Sequence, residues 1–144
     1  MWEYVVAAAV GGVAVGLVGG VFLDKLLKSM KENRILKCSE LLEKNFGEHM
    51  ITNKFTFAEV KEWIMARESK IKDGYKGIVM KVNKESFAKL GSDLVIDKNL
   101  ENYLLLAIYK EGNFDDTLLV KYGSLDSDLE ANLKEGTMVI EWCF

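Results

Sequence analysis

An uncharged run from Tyr4 to Leu23, "YVVAAAVGGVAVGLVGGVFL", constrains this chain more than any other feature. A bilayer core about 30 Å thick requires about 20 helical residues at about 1.5 Å each, and the run has that length. In a water-exposed helix, Gly11, Gly12, Gly16, Gly19 and Gly20 would each cost about 1 kcal/mol relative to alanine. Membrane helices tolerate glycine better, so the sequence predicts a transmembrane anchor over residues 1–24. A cleaved secretory leader fits poorly. The run is preceded by Met1, Trp2 and Glu3 without a basic region, and it passes into "VFLDKLLKSMK" without a small-residue cleavage site.

The flanking charges orient this expected span. Lys25, Lys28, Lys31, Arg34 and Lys37 follow it, while no basic residue precedes it, which predicts a single-pass protein with its C-terminal domain in the cytoplasm. Trp2 and Tyr4 would anchor the far interface, with Lys25 and Lys28 at the near one. At about 100° per residue, Ala8, Gly12, Gly16, Gly19 and Gly20 share one face, opposite a face of valines and Leu17. Small residues let helix backbones approach closely, so this face is expected to favour self-association over an inert tether.

The remaining chain reads as a juxtamembrane helix over 25–46 and a domain over 47–144. The whole protein has 144 residues, with 19 Lys and Arg against 22 Asp and Glu, a net charge of -3. That balance lacks the broad basic surface a nucleic-acid partner requires. Cys38 and Cys143 lie too far apart in sequence to form a CxxC pair, and they read as free thiols rather than a disulfide framework.

The juxtamembrane stretch "LDKLLKSMKENRILKCSELLEKNF" places Leu23, Leu27, Met30 and Leu41 near one face, beside Ile35, Leu42 and Phe46. Gly47 is its expected stop. Thr56 and Glu59 form a capping-box pattern that opens a helix carrying Phe57, Val60, Ile64 and Ile71 at helical spacing, with Trp63 alongside. Beyond Tyr75, "KGIVMKV", "DLVI", "NYLLLAIYK", "TLLVKY" and "TMVIEW" read as strands. The continuous apolar runs in "NYLLLAIYK" and "TLLVKY" imply burial on both faces or at a sheet centre. "NKESFAKLG" and "SLDSDLEANLKEG" read as short helices, the second with a capping-box pattern between Ser127 and Glu130. The expected fold class is α+β, a mixed, mainly antiparallel sheet of about five strands with helices packed over one face.

No catalytic, cofactor or metal-binding constellation emerges. His49, the single histidine, falls in a polar stretch read as a linker between helices. The string beginning at Asp126 fails as a calcium loop because Ala131 stands where the turn glycine belongs and Thr137 where the bidentate glutamate belongs. Asp115 and Asp116 fall in "EGNFDD", which reads as a solvated hairpin loop, and as adjacent residues of a strand-like segment their side chains would point apart instead of converging on a substrate. P-loop, dinucleotide and nucleophile-elbow motifs are absent. The expectation is therefore a membrane-anchored interaction or scaffold protein with a protein partner. The alternative is a small membrane-tethered enzyme or ligand sensor.

Overall fold

The computed structural model describes residues 4–8, 21–22, 24–26, 28–29, 31–32, 38–46, 48–82, 102–133 and 137–142. The fold is α+β. Its elements are β1 (Tyr4–Ala8), α1 (Cys38–Asn45), β2 (Glu48–Phe55), α2 (Phe57–Met65), α3 (Glu68–Lys72), β3 (Lys76–Val82), β4 (Tyr103–Lys110), β5 (Asn113–Leu125), α4 (Ser127–Asn132) and β6 (Thr137–Trp142). The described residues between 21 and 32 are also helical. The strands form a six-stranded sheet in the order β1-β6-β3-β4-β5-β2, and β2 with β5 is its parallel pair.

Four of the expected strands are β3, β4, β5 and β6. The expected helix in "NKESFAKLG" and strand "DLVI" lie outside the described residues. Both ends of the sheet come from segments not expected to be strands. At one end, Tyr4–Ala8 pairs antiparallel with β6, Tyr4 opposite Trp142 and Ala8 opposite Met138. This corrects the expected helix over those five positions. A short apolar run has no period that separates strand from helix, and β6 offers it a backbone ladder. Among the described residues, no helix is long and apolar enough to cross a membrane. At the other end, the stretch around His49 is β2 and not a linker.

The centre of the sheet is buried on both sides. Every residue from Tyr103 to Ile108 in β4 is buried, as its unbroken apolar run implies. On one face, Leu104, Leu106, Ile108, Val79, Leu118 and Val120 pack with Val60 and Ile64 of α2, Ile71 of α3 and Leu129 of α4. On the other, Phe114 lies opposite Tyr109 and makes an edge contact with Phe46, which stacks on Phe22 at 5.8 Å between ring centroids. Phe22, Leu26, Leu42 and Phe46 are fully buried there, so the basic N-terminal helical segment and α1 form a second layer. The expected single helical layer becomes two. Leu23, Leu27, Met30, Ile35 and Leu41, assigned to that apolar stripe, lie outside the described side chains.

Local signals explain the joints. Thr56 caps α2 with a complete capping box, its hydroxyl accepting from the Glu59 amide while the Glu59 carboxylate accepts from the Thr56 amide. In α4 the cap is Asp126 and not Ser127 as expected, because the Asp126 carboxylate accepts from the Leu129 amide at 2.9 Å. The β4–β5 hairpin turns at Glu111 (φ 50°) and Gly112 (φ 85°), the paired positive dihedrals of a tight hairpin. Gly123 is needed for another reason. A Cβ there would sit 2.8 Å from the Asn53 carbonyl oxygen, so a side chain would push β2 away from β5.

Candidate functional site

The N-terminal helical segment and α1 border a hollow of about 330 Å³ lined by Lys25, Lys28, Ser29, Glu32, Lys44 and Asn45. Its position follows from packing. Phe22, Leu26 and Ser29 recur at helical spacing and turn inward, which leaves Lys25 and Lys28 exposed. The Lys25 ammonium lies 5.8 Å from the centroid of the buried Phe46 ring, so its stem covers apolar surface while its charge stays in water. Three ammonium groups against the Glu32 carboxylate leave the rim net positive. Such a rim attracts anionic groups, lipid headgroups included.

This hollow brings together the two lysines assigned to the membrane interface. The remaining assigned positions fall elsewhere. Tyr4 and Ala8 lie at the two ends of β1, and Trp2, Gly12, Gly16, Gly19 and Gly20 lie outside the described residues. Lys44 belongs to the same rim but was not singled out from sequence, because its place beside Lys25 depends on how α1 packs.

A second polar cluster corrects the reading of Asp115 and Asp116. Ala107 pairs with Thr117 and Tyr109 with Phe114, so Ile108 alone faces both aspartates. That extra residue is a β-bulge, which breaks the alternation and brings the two carboxylates together. Lys70 bridges them, with Nζ 2.6 Å from Asp115 Oδ2 and 3.3 Å from Asp116 Oδ2. Arg67 Nε lies 3.1 Å from Asp116 Oδ2, its Nη1 donates to the Trp63 carbonyl at 2.9 Å, and its guanidinium stacks 3.8 Å from the Trp63 ring centroid. The carboxylates are thus engaged by cations from α3 and its N-cap. This arrangement ties the helices to the hairpin instead of presenting an acid and a base to a substrate.

Two groups, Lys70 in this cluster and Tyr122 farther along β5, hold their protons more tightly when folded. The hydrogen bond that the Lys70 ammonium donates to Asp115 raises its pKa above the usual range, opposed in part by desolvation. Half-burial, then the Glu130 charge, raises the Tyr122 phenol. In each case the stabilising contribution is complete below the ordinary value and is lost as pH climbs through the raised folded value. Stability is therefore expected to fall above about pH 10. Urea unfolding of wild type and Tyr122→Phe between about pH 9 and 11 should show a shallower alkaline decline in the variant, with the Lys70 part retained.

Among the described residues, no group of three or more His, Cys, Asp or Glu side chains is placed to hold a metal ion. His49 Nε2–H donates to the Phe46 carbonyl three residues earlier. The class defined by fold and surface is an α+β sheet domain with a basic helical rim formed by Lys25, Lys28 and Lys44. No protein-family model, curated protein or solved structure matches the chain.

Proposed function

We propose that this is a single-pass membrane-anchored protein whose α+β domain lies in the cytoplasm and serves as an interaction or scaffold module. The observation that supports the reading is the direct succession of an uncharged run and a helical segment that exposes Lys25 and Lys28 around a basic hollow. Basic residues beside a span favour the cytoplasmic side, and each one near an anionic leaflet adds about 1 kcal/mol of attraction. The face of Ala8, Gly12, Gly16, Gly19 and Gly20 would then associate helices within the bilayer.

Insertion has a structural consequence. With β1 held on β6 and Phe22 packed on Phe46, the uncharged residues 9–21 would reach only about 20 Å as a helix, short of a bilayer core of about 30 Å. A spanning state therefore requires Tyr4–Ala8 to leave the sheet and join the helix. Fractionation of cells expressing the full chain tests the reading. The chain is expected in membranes after alkaline carbonate washing, with its C-terminal domain resistant to protease added outside intact cells. Recovery in the soluble fraction overturns membrane anchoring, and digestion from outside overturns the orientation.

A further inference from the structure

We infer that the hollow between the N-terminal helical segment and α1 binds a phosphate monoester carried by an acidic membrane lipid. Four of its lining residues, Lys25, Lys28, Ser29 and Glu32, recur at i, i+3, i+4 and i+7 and so form one stripe of the helix. The stripe flanks the buried one made by Phe22, Leu26 and Ser29, and Ser29, only 6% exposed, belongs to both. α1 closes the other side with Lys44 and Asn45.

Three ammonium groups and one carboxylate line this space, a formal net charge of about +2. Lysines at neighbouring helical positions repel, and bringing Lys44 to Lys25 and Lys28 adds to that repulsion. The packing does not require it, since Phe22, Leu26, Leu42 and Phe46 already hold the second helical layer. An anion seated among the three turns the repulsion into attraction. The stem of Lys25 is already laid over the buried Phe46 ring, with Nζ 5.8 Å from the centroid, so less of its freedom is lost when it meets a ligand.

The charge selects the chemistry. A phosphate monoester carries about −1.5 to −2 near pH 7 and offers three terminal oxygens, one acceptor for each ammonium, whereas a diester carries about −1. The volume of about 330 Å³ is at the lower end for ligand cavities, enough for a headgroup but not for its acyl chains. The lipid source rests on the membrane-anchored reading proposed above. With the span ending at Val21, Lys25 lies about 6 Å and Lys28 about 10 Å beyond the hydrocarbon edge, and Glu32 about 16 Å. The headgroup layer is about 5–8 Å deep on each side, within reach of the two lysine stems and short of Glu32. A lipid such as phosphatidic acid holds its monoester in that layer, beside the glycerol.

Calorimetric titration of the full chain in nonionic detergent with dihexanoyl phosphatidic acid tests the proposal. Dihexanoyl phosphatidylglycerol serves as the matched diester and inorganic phosphate as the lipid-free source. One phosphatidic acid per chain is expected, bound about tenfold tighter than either comparison ligand. Lys25→Gln, Lys28→Gln and Lys44→Gln should each weaken it about fivefold with unchanged far-UV circular dichroism, and Glu32→Gln should tighten it by a similar factor. Lys61→Gln, on α2, should leave it unchanged. General attraction of juxtamembrane lysines to an acidic surface needs Lys25 and Lys28 but not the residue that α1 contributes, so full affinity in Lys44→Gln overturns the site. Equal affinity for the diester, or no saturable binding, overturns it as well. Inorganic phosphate binding as tightly as the lipid overturns the lipid source. Anchoring is decided separately by the fractionation, and a soluble chain that still prefers the monoester keeps the site and loses only its lipid source.

Discussion

Replacing Leu106 with alanine is expected to lower the unfolding free energy by about 3–5 kcal/mol. Leu106 is fully buried in the central strand β4, in the cluster that joins the sheet to α2, α3 and α4. Removing its branched end takes apolar surface out of the core and leaves a void that a strand fixed on both sides cannot close. A loss of this size is a large part of the total stability of an ordinary domain. Urea titration followed by circular dichroism should show the midpoint falling sharply with an unchanged slope. A loss below about 1 kcal/mol would mean that the layer over this face is not packed as described.

The second large effect is expected at Asp126. Its carboxylate accepts from Leu129 at the start of α4 and, through the other oxygen, from the Phe57 amide at 3.1 Å at the start of α2. One side chain therefore serves the starts of two helices, with Phe57 lying 69 residues from Asp126 in sequence. Asp126→Ala is expected to cost about 2–3 kcal/mol, since it removes a cap and leaves a second helix amide without its charged acceptor. Asn keeps one acceptor oxygen but presents an amide donor to the other site, so it should recover about half of the loss. Hydrogen exchange gives an independent reading, because protection should fall together at Phe57 and Leu129 in Asp126→Ala. Loss at Leu129 alone would sink the shared-cap account.

Particular residues show where sequence reasoning succeeded. Thr56 and Glu59 announced their capping box because all of its partners lie within one turn. The apolar run Leu104–Ile108 announced a strand buried on both faces, and Val60 and Ile64 kept their helical spacing against it, whereas the expected single helix breaks at Ala66 and Arg67 and Ile71 reaches the same cluster from α3. Other signals misled for identifiable reasons. Ser127 and Glu130 satisfied the capping pattern, yet Asp126 won the position because its carboxylate serves two helices. β2 left no alternating pattern because most of its residues are exposed on both faces. Asp115 and Asp116 converge only because a bulge sets two residues against Ile108, an offset that depends on the partner strand.

The sequence by itself determined the α+β class, the segments that form β3 to β6, the helix cap at Thr56 and an uncharged glycine-rich segment followed by lysines. These depend on composition and on neighbours a few residues apart. Tertiary structure alone decided the two edge strands, the second helical layer, the grouping of Lys44 with Lys25 and Lys28, and the meeting of both aspartates with Lys70. Each of these joins residues distant in the chain, where pairing register and packing decide which groups meet.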